Sequence, residues 1–145
     1  MTEENQTNFV DNYLLYLLAR ASEQASRQFH AQVKQHGLKV PEWRVLAAIA
    51  DQPSKIGALA KITLYQQPTL TKVVDRMVAD DLVVKSRAKD DKRIVRVQIT
   101  NKGRAVFEKL QAAALNHENQ VLTRYTDQES AHLKGLLKQL IARTD

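Results

Sequence analysis

The segment from Gln66 to Gly103 constrains the fold of this chain more than any other part of it. Its first half repeats apolar residues at i, i+3, i+4 and i+7, which predicts an amphipathic helix with one buried stripe. Residues 82–87 then read as a strand, residues 89–92 as a turn, and residues 95–99 as a returning strand. The segment is therefore expected to form a helix followed by a β-hairpin. The inward residues are Leu70, Val73, Val74 and Met77 on the helix, and Val95, Val97 and Ile99 on the returning strand.

A short helix over residues 55–62, with Ser54 as its cap, is expected to precede this segment. Leu64-Tyr65 occupies the turn between the two helices, where many helix-turn-helix proteins have glycine. Helix, turn, helix and hairpin in this order predict a winged helix-turn-helix over residues 37–103. We expect a fold that is mainly α with a small β-hairpin wing (α+β).

The outward side of the longer helix carries hydroxyl groups and cations. Side chains of these kinds form hydrogen bonds with base edges and phosphates, and a helix of this size fits a major groove. A proline at its start has the fixed φ angle that suits the first turn of a helix. The outward residues are Pro68, Thr71, Lys72, Asp75 and Arg76, with Thr69 on the flank.

The positive charge of the chain is concentrated on this same segment. Residues 55–104 hold twelve Lys and Arg against five Asp and Glu, whereas the chain as a whole has a formal net charge of +6. The rest of the chain is therefore close to neutral. A basic surface confined to one motif is typical of a surface that neutralises phosphates. The alternative is an ordinary basic face exposed to solvent.

Long helices flank the winged segment on both sides. A stripe that recurs every four residues predicts a first helix over about residues 8–36, roughly 28 residues and about 42 Å long, which Gly37 ends. A helix of that length exceeds what one small domain covers, so part of it is expected to pack on a second subunit. A second helix is expected to begin at Pro41 and to stop near Pro53.

The C-terminal part is expected to form two further helices. Thr100 is the expected cap of a helix over residues 101–125, and Thr126 with Glu129 has the capping-box spacing for a last helix. The last helix has an apolar face with little of its own domain left to cover it. We therefore expect a single compact chain in which residues 1–36 and 104–145 are dimerisation helices and residues 37–103 are the DNA-binding module. The apolar face comprises Leu133, Leu136, Leu137, Leu140 and Ile141.

Composition argues against an enzyme. The chain has no cysteine, its four histidines lack metalloenzyme spacing, and no serine lies in a glycine-flanked elbow. No catalytic residue, metal ligand or cofactor is predicted, although His117-Glu118 is kept as a possible part of a metal site. The longest apolar run, from Leu14 to Ala19, is too short to span a bilayer. These features indicate a cytoplasmic protein that does not associate with a membrane.

The order of elements resembles that of the MarR family of dimeric transcription regulators over nearly the whole chain. Gln67-Pro68-Thr69-Leu70 is similar to the start of the recognition helix in the SlyA-like branch. Asp91-Lys92-Arg93, followed by the strand that exits at Thr100 and Gly103, resembles the wing of the family. The resemblance implies a homodimer held by the first, fifth and sixth helices. It also implies recognition helices in two successive major grooves of double-stranded DNA and wings in the flanking minor grooves.

The resemblance assigns roles to individual residues. Arg93 matches the wing arginine that enters the minor groove, and Asp91 is expected to orient the wing. The chain departs from the family at Asp81, where a glycine-containing string is usual, and at Lys72, where many relatives have arginine. Lysine lacks the planar fork of arginine, so weaker discrimination for guanine is expected at Lys72. The expected DNA-binding residues are Gln67, Pro68, Thr69, Thr71, Lys72, Arg76, Arg87, Lys92 and Arg93.

Most members of the family respond to a small ligand, often aromatic or phenolic, bound between the dimerisation helices and the winged module. By resemblance, such a pocket would be lined by Tyr13, Leu17, Trp43 and Arg44, although aromatic residues at helical spacing also fit a plain core. Two alternative functions stay open: a winged helix that binds protein, and an architectural DNA binder without sequence preference. The basic wing favours DNA over protein.

Overall fold

The computed structural model describes residues 8–145, so residues 1–7 of the expected N-terminal dimerisation segment lie outside the described residues. The described chain is mainly helical with one small sheet, as the sequence predicts. No helix in it is both long enough and apolar enough to cross a membrane. The elements are a 3₁₀ turn at Phe9–Asn12, α1 (Leu14–Gln35), α2 (Val40–Ile49), β1 (Ser54–Lys55), α3 (Ile56–Thr63), α4 (Gln67–Ala79), β2 (Val83–Arg87), β3 (Val95–Ile99), α5 (Asn101–Val121) and α6 (Asp127–Thr144).

The first helix is shorter than its apolar stripe predicts. Tyr13 has an extended backbone (φ −88°, ψ 119°) and separates the 3₁₀ turn from the 22 residues of α1. Asp11 and Asn12 precede this break, and such short polar side chains compete with helical hydrogen bonds. The other end is as expected, because Gly37 adopts a left-handed conformation (φ 77°). The amide of Leu38 there donates to the carbonyl of Val33 at 3.2 Å, which closes the helix.

The second helix and the residues after it correct two expectations. α2 ends at Ile49, and residues 50–53 form the connection instead of a last helical turn. Ser54 was expected to cap α3, but it forms the two-residue strand β1 with Lys55, and no side chain caps α3. Strand β1 pairs with β3, so the wing is part of a three-stranded antiparallel sheet in the order β1-β3-β2.

Two residues other than glycine adopt a left-handed conformation on either side of the recognition helix α4. Leu64 (φ 66°) joins α3 to α4, and Asp81 (φ 60°) joins α4 to β2. Asp81, where the chain departs from the glycine-containing string usual in the family, is therefore the left-handed residue at this joint. The amide of Leu82 donates to the carbonyl of Met77 at 2.9 Å, which is the usual closure at a helix end with a left-handed residue.

The two C-terminal helices begin where expected. The Thr100 hydroxyl accepts a hydrogen bond from the Gly103 amide at the start of α5. At the start of α6, Thr126 and Glu129 form the expected capping box. Helix α5 ends at Val121, four residues before the expected end at Tyr125, and the backbone turns at residues 122–124.

The core lies between the C-terminal half of α1, helices α2 to α5 and the inner face of the sheet. The buried stripe of α4 and Val97 of β3 belong to it, as predicted, whereas Val95 and Ile99 are only partly buried. Three aromatic side chains form one part of the core. Trp43 packs between Phe29 and Phe107, with 5.3 and 5.8 Å between ring centres. Helix α6 contributes no buried residue.

Candidate DNA-binding surface

The outward residues of α4 form a continuous polar surface. Five of the six expected contact residues on this helix are exposed, and Thr71 is half-buried. The Thr71 hydroxyl donates to the Gln67 carbonyl at 2.9 Å, so its oxygen keeps acceptor capacity for a base edge. The exposed residues are Gln67, Pro68, Thr69, Lys72 and Arg76.

An ion pair connects this helix to the sheet. Lys85 of β2 donates to the Asp75 carboxylate of α4, a contact that sequence analysis did not identify. Two further hydrogen bonds hold the joint between α4 and the wing: Lys102 Nζ donates to the Asp80 carbonyl at 2.9 Å, and the Thr100 hydroxyl donates to the Asp81 carbonyl. Together these bonds fix the orientation of the recognition helix relative to the wing.

The tip of the wing is organised by Asp91. Its carboxylate accepts hydrogen bonds from the Arg93 amide at 3.0 Å and from the Arg93 guanidinium at 3.1 and 3.2 Å. These bonds lower the pKa of the Asp91 carboxyl, so it stays charged and keeps its hold on Arg93. The Arg93 side chain is 92% exposed, so it is restrained without being covered. Arg87 donates to the Lys92 carbonyl at 2.9 Å and so braces the turn.

The expected ligand-pocket residues divide into two groups. Trp43 and Arg44 line a cavity of about 370 Å³ between α2 and the end of α3, together with Ile62 and Leu64. Tyr13 and Leu17 do not line this cavity; both are exposed, and Tyr13 stacks on Phe9 at 4.8 Å.

Positive charge gathers around Arg44. Its guanidinium lies over the Tyr65 ring, 5.3 Å from the ring centre, and donates to the Tyr65 hydroxyl at 3.3 Å. Burial, followed by the charges of Arg44 and Lys34, lowers the pKa of His30. Arg44 therefore places one cation at the cavity that it lines with Trp43.

The structure gives His117 and Glu118, which the sequence suggested as metal ligands, separate partners within the protein. His117 is buried and stacks on Phe29 with 5.9 Å between ring centres, whereas Glu118 forms an ion pair with Lys134 at 3.0 Å. Within residues 8–145, no three His, Asp or Glu side chains are grouped as a metal site requires.

Comparison with known proteins identifies this architecture. The sequence pattern of the MarR family matches residues 36–94, from the end of α1 to the wing tip. A solved MarR family transcriptional regulator from Silicibacter pomeroyi is 44% identical, with a TM-score of 0.85 over 96% of this chain and 100% of that one. This chain belongs to the MarR family. It is therefore a winged-helix, DNA-binding regulator of transcription.

Two repressors are also similar to this MarR-family chain. The homoprotocatechuate degradative operon repressor of Escherichia coli is 29% identical over 130 residues, which are 89% of this chain and 88% of that protein. The transcriptional repressor IacR of Pseudomonas putida is 30% identical over 102 residues, which are 70% of this chain and 61% of that protein. Membership of the SlyA-like branch stays a prediction.

Proposed function

We propose that this MarR-family chain is a homodimeric repressor that reads a pseudo-palindromic operator, with α4 in the major groove and the wing in the minor groove. The observation that carries the groove assignment is the Asp75–Lys85 ion pair, which joins the exposed face of α4 to the sheet as one surface. The restrained and exposed Arg93 lies on the wing of that surface. An arginine in this state has a low entropic cost of entering a narrow minor groove.

The proposed dimer rests on uncovered apolar surface at both ends of the chain. Leu133, Leu136 and Ile141 of α6 are about half exposed or more, and so are Leu14 and Leu15 of α1. Exposed apolar stripes of this length mark interfaces between subunits. We therefore assign dimerisation to residues 8–36 and 104–145 and DNA binding to residues 37–103. Removal of the chain from Thr126 onward is expected to leave a monomer, as measured by sedimentation.

Repression is supported by both relatives, which are named as repressors. We further propose that a small aromatic acid releases the operator. The cavity beside Trp43 is large enough for one substituted ring, and Arg44 offers a cation to its carboxylate. The name of the E. coli relative, which refers to homoprotocatechuate degradation, supports this class of ligand.

The DNA assignment is tested by selecting duplexes from a random pool and measuring affinity against salt. Lys72→Ala should lower affinity and also relax base preference, because its side chain faces the major groove. Arg93→Ala should weaken binding most on sites with A·T-rich flanks, since a minor-groove arginine responds to groove width. An Arg93→Ala variant that binds every flank as tightly as the parent would remove the wing from the interface.

The same experiment separates the alternative functions. A protected footprint confined to a palindrome supports a regulator, whereas uniform protection along any duplex indicates an architectural DNA binder. Affinity that does not change with salt, or no binding at low salt, would favour the protein-binding alternative.

The effector proposal has its own optical test. Trp43 is the single tryptophan of the chain, so its fluorescence reports directly on the cavity. Homoprotocatechuate should change the fluorescence with a saturable dependence and should release selected DNA. Arg44→Gln should weaken both effects, and Arg20→Gln is a matched control on the exposed surface of α1. If homoprotocatechuate and related aromatic acids leave fluorescence and DNA binding unchanged, this ligand class is wrong.

A further inference from the structure

Two cationic side chains lie opposite each other on the paired strands β1 and β3. Strand β1 pairs with β3 so that Lys55 lies directly opposite Arg96. Directly opposed residues of antiparallel strands point to the same face, with Cβ atoms about 4.5–5.5 Å apart. Like charges in this arrangement repel each other and destabilise a sheet. The pairing therefore favours an anion near both side chains.

The pair lies on the outer face of the sheet. Val97 and Val83 alternate with Arg96 and Val84 along their strands, and both Val97 and Val83 are fully buried against the helices. Side chains alternate between the two faces of a strand, so Lys55 and Arg96 point away from the core. Lys55 is exposed and Arg96 is half-buried. Both side chains therefore lie on the solvent side of the sheet, and that of Arg96 is partly covered.

The wing arginine belongs to the same neighbourhood. Lys55 and Arg93 line one cavity of about 240 Å³ together with Gly57, and a Cβ built on Gly57 meets no atom within 4 Å. The charge of Lys55 adds to the effect of the Arg93 hydrogen bonds in lowering the pKa of the Asp91 carboxyl. Asp91 is already bound to Arg93, so this carboxylate offsets one of the three cations and leaves the group positive.

We propose that Lys55 and Arg96 form a phosphate clamp, which holds the DNA backbone beside the minor groove that Arg93 enters. This proposal rests on the proposed DNA-bound arrangement of the wing and adds two residues to it. Phosphates are spaced regularly along each strand, so a cation a few ångströms from a groove-bound arginine meets the flanking backbone. The clamp contributes affinity without sequence information, because neither side chain reaches a base edge.

The clamp predicts that DNA binding and stability of the free protein change in opposite directions. Lys55→Gln removes one partner of a repelling pair, so the thermal unfolding midpoint of the free protein should stay equal or rise. Each lost phosphate contact should reduce the slope of log K against log salt by about 0.9, which gives about 1.8 for a dimer. Base preference in the selected duplex should not change.

The experiment compares Lys55→Gln, Arg96→Gln and Lys55→Arg with the parent on one selected duplex and on one duplex of unrelated sequence. Lys61→Gln is the matched control, because Lys61 lies at the far end of α3 and pairs with Asp145 at 2.8 Å. The clamp is supported if both glutamine variants lose slope on both duplexes while Lys55→Arg and Lys61→Gln keep the parental slope.

The proposal is overturned if the glutamine variants keep the parental slope. It is also overturned if Lys61→Gln loses as much slope as they do, since the effect is then one of net charge, or if base preference changes with Lys55→Gln. Failure of the parent to bind any duplex would instead overturn the proposed function, so the two failures are distinguishable.

Discussion

Helices α4 and α6 have the same apolar pattern, but the apolar stripe of α4 is buried and that of α6 is largely exposed. On α4, Leu70, Val74 and Met77 are fully buried. On α6, residues at equivalent spacing keep much of their surface in water, with Leu136 49% and Ile141 65% exposed. The i, i+3, i+4, i+7 spacing fixes which side of a helix is apolar, but it does not determine what covers that side.

The chain topology explains the difference. Helix α4 lies between α2, α3 and β2, three elements that are close to it in sequence and enclose its stripe on all sides. Helix α6 is joined to α5 by the Glu118–Lys134 ion pair, which lies about two turns into α6. None of the other described elements packs closely on α6. Its apolar stripe is therefore the surface that we propose meets a second copy.

The largest effect is expected from Leu70→Ala in α4. Leu70 is fully buried, and truncation of a buried leucine costs about 2–5 kcal/mol of stability. Because the stripe is enclosed within one subunit, the loss should be the same at low and high protein concentration. Urea unfolding at two concentrations a hundred-fold apart measures this. A loss that depends on concentration would mean that α4 is itself part of the subunit interface.

Leu136→Glu in α6 should act on association instead. A carboxylate in an apolar interface costs about 2 kcal/mol or more, or roughly thirty-fold in the dimer dissociation constant. Sedimentation should show monomers at concentrations where the parent is dimeric. Lys138→Glu, on the exposed side of the same helix, is the control and should leave the dimer intact. Equal association of parent and Leu136→Glu would mean that the apolar face of α6 is not the interface.

The contrast also shows which features the sequence predicts. The stripe of α4, the capping box of α6 and the end of α1 at Gly37 were predicted because each depends on residues within a few positions of one another. Strand β1 was missed, since two residues are too few to show an alternating pattern. The Asp75–Lys85 ion pair was missed because it joins two elements whose relative placement only the fold determines. The break at Tyr13 was missed because the apolar stripe continues through it.

Two glycines provide a smaller and more local comparison. A Cβ on Gly103 would lie 2.1 Å from the Leu82 carbonyl oxygen, so Gly103→Ala must displace backbone at the joint between α5 and the wing. Overpacking of this kind costs about 1–3 kcal/mol. Gly135, within α6, has no atom within 4 Å of its Cβ position, so Gly135→Ala should stabilise by about 0.5–1 kcal/mol through helix propensity. Thermal unfolding measures both; a destabilising Gly135→Ala would place a partner helix against this position.

The smallest effects are expected at the helix ends, where α4 and α6 again differ. Helix α6 begins with a capping box, whereas the left-handed residues Leu64 and Asp81 lie before and after α4. A left-handed conformation costs a non-glycine residue about 1–2 kcal/mol, which replacement by glycine removes. Glycine in turn costs about 0.5–1 kcal/mol because it has more freedom in the unfolded chain. Leu64 is 83% exposed, so Leu64→Gly forfeits little buried surface and should stabilise by about 0.5–1 kcal/mol. Asp81→Gly should gain less, because aspartate tolerates this conformation better than leucine. Unfolding of both variants in urea tests this ranking. The ranking is wrong if Asp81→Gly is the more stabilising change or if Leu64→Gly lowers stability. A loss of stability in Leu64→Gly would mean that the exposed Leu64 side chain packs on a second subunit.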